Sequence, residues 1–137
     1  RLNRASAAGA PGISRQCYGI LPKIKEVDSL MTPSLQERVL EVHPELAFYE
    51  LNHAEPLAAR KKSRDGLELR LGLLERAWEC KLKEMVEAHR RSTVARDDIV
   101  DAMAACWTAG RVLAGTAIRL PPEPLRDSRG LRMEIVR

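Results

Sequence analysis

The chain has 137 residues, 45% hydrophobic and 31% charged, with a net charge of +4 at pH 7. That suffices for one apolar core, so a single domain over 1–137 is expected, and fibrous or low-complexity classes are excluded. No apolar run approaches the ~18 residues of a membrane span and the Arg-rich start lacks the apolar stretch of a signal peptide, so a cytoplasmic protein with no membrane partner is expected.

In chain order, residues 1–12 are rich in Ala and Gly and read as a loop. From Ser14 the spacing of Tyr18, Leu21, Ile24, Val27 and Met31 predicts a capped helix with one apolar stripe, which Pro22 should kink or divide. Thr32-Pro33-Ser34 is a break. Arg38 to His43 then alternates as a strand would, Leu40 and Val42 on one face, Val39, Glu41 and His43 on the other, with Pro44 ending it. A short helical turn through Leu51 and a polar loop over 52–62 follow. The next helix, from about Ser63, stacks Leu67, Leu71, Leu74 and Trp78 as core, and Glu79 to Glu87 reads as a solvated helix.

The last helix opens at Arg96 and runs to about Leu113, with Gly115 able to end it. Ala117 to Leu120 and Arg132 to Val136 are two weaker strand candidates around the Pro-rich turn 121–130. Cys17, Cys80 and Cys106 are odd in number and lack CxxC spacing, which predicts reduced, mostly buried thiols and neither a disulfide framework nor structural zinc.

The chemistry concentrates at Asp97, Asp98 and Asp101. Positions three and four apart share a helix face, so these acids crowd like charge at the rim of an apolar helix, and a hard divalent cation would relieve the repulsion. Acids in a first helical turn are also favoured by the helix dipole, and Asp97 could simply cap; Asp101 lies a full turn in and is followed by the small Ala102. Glu41 is out of keeping with a short β-branched strand and could either face solvent or complete a carboxylate cluster with Asp98 and Asp101. His43, on the same expected face, could orient Glu41 or shuttle a proton, or be structural before Pro44.

Positive charge gathers between Glu55 and Arg96, where eleven Lys and Arg face seven Asp and Glu, including Arg60-Lys61-Lys62-Ser63-Arg64 and His89-Arg90-Arg91. Such runs are commonly solvated surface, but beside a cation site they suit a phosphodiester backbone. An aromatic content of 4% argues against base stacking as the main contact.

Five blocks in order carry a resemblance: Gly12-Ile-Ser-Arg-Gln16, Leu21-Pro-Lys-Ile-Lys-Glu-Val-Asp28, Glu41-Val-His-Pro-Glu45, Lys61-Lys62 with Gly66, and Asp97-Asp-Ile-Val-Asp-Ala102. Together they resemble a bacterial and archaeal family of predicted nucleases catalogued as domain of unknown function 429, with a ribonuclease H-like fold. Asp98-x-x-Asp101-Ala102 is also similar to the closing helix of Holliday-junction resolvases, where a strand glutamate joins the helix acids.

The resemblance implies an α/β fold, here the C-terminal portion of a ribonuclease H-like domain: mostly helical, with one strand, two weaker ones and 116–137 as an appendage. It implies metal-dependent hydrolysis of DNA or RNA, with Mg²⁺ or Mn²⁺ in a two-metal site held by Glu41, Asp98 and Asp101, and by Asp97 as an outer or alternative ligand. Lys61, Lys62 and Arg15 would contact substrate phosphates. The family's first strand carries a further metal-binding aspartate, so an N-terminal segment or a second chain is expected to complete the sheet, and this chain alone is expected to be inactive. The alternative is a non-catalytic module that binds nucleic acid or protein through the same surface.

Overall fold

The computed structural model describes residues 13–90 and 92–137. The loop expected over 1–12, the first residue of the Gly12 block and Arg91 of the second basic cluster lie outside them. Five α-helices follow in order: α1 (Arg15–Leu30), α2 (Pro44–Leu51), α3 (Arg64–Trp78), α4 (Lys83–Glu87) and α5 (Arg96–Leu113), then β1 (Arg119–Leu120) and β2 (Ile135–Val136).

The local signals act where the periodicity places them. Ser14 and Ser63 cap α1 and α3 by accepting the N–H of Cys17 and of Gly66, each at 3.0 Å. Pro22 sits inside α1 without dividing it. The solvated helix expected over 79–87 is shorter. Glu79 turns left-handed at φ 52°, which ends α3, and Glu75 Oε1 then accepts the N–H groups of Leu82 and Lys83 to start α4.

Helices α2, α3, α4 and α5 enclose the core, in which Phe48, Leu74, Val100 and Ala104 are fully buried beside Leu71, Leu73, Leu82, Val86 and Met103. Helix α5 runs through the middle and touches the other three. Helix α1 contributes no buried residue, so its predicted apolar stripe faces outward. Arg129 holds its C-terminal end, donating to Asp28 Oδ2 at 2.7 Å and to the carbonyl of Met31 at 2.5 Å.

The strand expected over Arg38–His43 does not form. Leu35–Glu37 is a 3₁₀ turn whose Leu35 carbonyl takes the N–H groups of Arg38 and Val39, and α2 begins at Pro44. Between them Val42 makes a single parallel bridge to Val136, and Glu41 contributes its carbonyl, which accepts the Val136 N–H at 2.8 Å. Too few residues remain between a helical turn and a helix start for a ladder. The two weaker strands pair with each other, antiparallel, Arg119 opposite Val136 and Leu120 opposite Ile135.

The tail after α5 is firmly tied. Glu134, with a side chain only 3% exposed, receives Arg119 and Arg132, while Glu50 receives Arg111 at 3.2 Å and Arg137 at 2.9 Å. Leu131 and Val136 are buried, though outside the main apolar cluster. The expectation of mostly buried thiols is corrected: Cys80 and Cys106 are exposed and Cys17 is half-buried, all three free. Among the described residues no helix is long and apolar enough to cross a membrane.

Candidate functional site

A cleft of about 840 Å³ opens between the loop preceding α3, helix α4 and the start of α5. Its wall includes Lys61, Lys62, Arg64 and Lys83 together with Arg96, Asp97 and Asp98. The basic run and the acidic helix, separated by more than thirty residues in sequence, therefore share one surface.

The loop that carries the lysines is shaped by packing that its composition does not announce. A Cβ on Gly66 would lie 2.0 Å from the Arg60 carbonyl oxygen, so only glycine lets the first turn of α3 approach that loop. Ser63 Oγ donates to the same carbonyl at 2.7 Å. Beneath it the buried Arg70 guanidinium donates to Glu45 through Nε at 3.0 Å and Nη2 at 2.6 Å, and through Nη1 to the carbonyls of Ala59 and Gly66. Its carbon also lies 5.6 Å from the centre of the Phe48 ring. This fork binds α2, the 52–62 loop and α3 together, and it gives Glu45 of the Glu41-Val-His-Pro-Glu45 block a structural task. Arg70 belongs to no motif; its one signal in the sequence is an arginine within an otherwise leucine-rich helix face.

The acids of α5 divide by depth. Ala95 is the N-cap and makes no side-chain cap bond, so Asp97 and Asp98 stand in the first turn at the cleft, where the helix dipole favours negative charge, and Asp97 is not itself the cap. Asp101, one turn further, has a side chain 20% exposed; Oδ2 pairs with Lys61 Nζ, and Oδ1 is buried with no hydrogen-bond partner. On the rim, Arg64 donates to Glu68 Oε1 at 3.0 Å, and that hydrogen bond holds the Glu68 carboxyl below its usual range and raises Arg64.

Other predicted site residues lie elsewhere. Glu41 is exposed, its backbone engaged by the C-terminal strand. His43 is the exposed N-cap of α2; its carbonyl accepts the Leu46 N–H at 2.9 Å and its ring makes no cap bond. Arg15 opens the exposed helix α1. None of these three lines the cleft. Among the described residues no three His, Cys, Asp or Glu side chains come together to hold a metal ion, so Glu41, Asp98 and Asp101 do not assemble the expected cluster. From the described residues any cation there would have two carboxylates at most, one of them already paired with Lys61. Asp98 and Asp101 occupy neighbouring positions on a helix face, and the unsatisfied Asp101 Oδ1 is the kind of hard oxygen that such an ion takes.

The family model described as "Protein of unknown function (DUF429)" matches residues 1–126, and the chain belongs to that family. Comparison with curated proteins and with solved structures finds no match. The matched span takes in the cleft and ends before Arg129, Glu134 and Val136, which fasten the tail.

Proposed function

We propose that this chain belongs to a divalent-cation-dependent nuclease of ribonuclease H-like fold, working in the cytoplasm, and that its cleft brings the backbone of DNA or RNA to the acidic helix α5. The observation that carries this reading is the meeting of Lys61 and Lys62 with Asp97 and Asp98 on one cleft, with Asp101 ion-paired to Lys61. Basic side chains along a groove supply charge for successive phosphates. Asp98 and Asp101 would hold Mg²⁺ or Mn²⁺, which when bound lowers the pKa of a water and neutralises charge on the phosphoryl oxygens. The chain's own part is to hold Asp101 in place through Lys61 and to keep the lysine loop against α3 through Gly66, Arg70 and Glu45.

The test is cleavage of labelled single-stranded, duplex and branched DNA and RNA by a preparation reconstituted with any segment that completes the sheet, with Mg²⁺, with Mn²⁺ and with chelator. Asp98→Asn and Asp101→Asn should remove cation-dependent cleavage while leaving binding in place, and Lys61→Ala with Lys62→Ala should weaken binding. Cleavage that survives both Asp→Asn changes would defeat the assignment.

A second reading, a non-catalytic module that binds nucleic acid through the same cleft, is favoured by one observation: Lys61 already occupies Asp101 Oδ2. Binding without cation-dependent cleavage, in a preparation reconstituted with any segment that completes the sheet, would decide for it.

A further inference from the structure

Helix α1 carries an apolar seam that the rest of the described chain does not cover. Cys17, Ile20, Ile24 and Val27 follow one another at spacings of three, four and three residues, the pattern that lets two helices mesh side by side. Ile20, Ile24 and Val27 are 46%, 50% and 57% exposed, and Leu21 and Leu30 widen the same surface at its edges. Pro22 falls on the side of the helix away from this seam, where its missing N–H does not disturb a contact.

Charge decides how the seam is filled. Lys23 and Asp28 flank it on opposite sides, five residues apart. In a parallel pair of identical helices that is the spacing at which flanking residues of the two copies meet, so Lys23 of each copy lies beside Asp28 of the partner subunit, twice by symmetry. An antiparallel pair would lay each flank against itself, lysine side on lysine side and aspartate side on aspartate side. Asp28 is bound to Arg129 and is still 54% exposed, so it can accept a second cation.

We propose that a second copy of this chain covers α1, the two helices running parallel along the Cys17 to Val27 seam. The contact lies outside the cleft and does not depend on what the cleft does. Two to three turns of paired seam make a weak dimer that dissociates on dilution.

The experiment uses the full 137-residue chain with Cys80→Ser and Cys106→Ser, both exposed positions outside the core. Sedimentation velocity over a concentration series, under reducing conditions, should show monomer passing to dimer. With oxidised glutathione as the oxidant, two Cys17 thiols at facing seam positions should join in a disulfide as glutathione is reduced, giving a covalent dimer on a non-reducing gel. Ile24→Lys, on a helix that buries nothing in the core, should abolish both signals while circular dichroism shows the fold retained. Lys23→Glu should raise the dissociation constant roughly fivefold, and Lys25→Glu, off the seam flank, should leave it unchanged. A monomer at every concentration overturns the proposal. So does a dimer that survives Ile24→Lys, or one that does not cross-link through Cys17, which would mean antiparallel helices or another face.

Discussion

Lys61 and Asp101, 40 residues apart in sequence, form an ion pair that ties the basic loop to the second turn of α5 and leaves Asp101 Oδ1 buried without a donor. Replacing Lys61 by Met removes the Oδ2 partner as well, and this should cost about 1–2 kcal/mol in urea unfolding, the range for an unsatisfied part-buried acceptor. Asp101→Asn should cost less, because its amide oxygen still accepts from Lys61.

Nucleic-acid binding gives a second, independent reading of the same loop. If Lys61 and Lys62 each neutralise one phosphate, the double alanine variant should lower the slope of log affinity against log salt by about 1.4–1.8, whatever the sequence of the probe. An unchanged slope would place the backbone elsewhere.

Gly66 is expected to tolerate no side chain. Its Cβ would meet backbone, the Arg60 carbonyl at 2.0 Å, and backbone cannot swing aside as a long side chain can. Gly66→Ala should therefore destabilise the protein by about 2 kcal/mol or more, despite the better helix propensity of alanine. Gly19, with nothing near its Cβ position, is the control: Gly19→Ala should be neutral or stabilising in thermal unfolding.

The buried Arg70 fork predicts strong non-additivity. Glu45→Ala leaves an Arg70 side chain 4% exposed with only carbonyl partners, and because Glu45 is itself 39% exposed the cost should be about 1.5–3 kcal/mol. Arg70→Met combined with Glu45→Leu should recover a large part of that loss, because no uncompensated charge stays inside. A double-mutant cycle on chemical denaturation measures it.

Acid should act on Glu37. The hydrogen bond from Arg132, then its charge, holds the Glu37 carboxyl below its ordinary value of 4.5. Because the folded value is depressed, the associated stability is complete above 4.5 and is lost as pH falls through the lowered folded value. Glu37→Gln should lower the urea midpoint near neutrality, flatten the profile through that acid window and leave the variant and wild type alike at the acid end.

By itself the sequence determined the helices and the chemistry they carry. The caps Ser14 and Ser63, the leucine stack of α3 and the acids opening α5 are legible because a helix is built from contacts between residues three and four apart, all written within one short window. The tertiary structure decided the rest. Whether Arg38–His43 became a strand depended on partners more than ninety residues away, and Val136 supplied one bridge instead of a ladder. The apolar stripe of α1 looks like any core stripe until the fold of the described residues leaves none of it buried. Glu41 and Asp101 read alike as candidate metal ligands. Only the fold sends the first to the C-terminal strand and gives the second a lysine and an unsatisfied oxygen, because ion pairs and buried acceptors are set by distance in space and not in sequence.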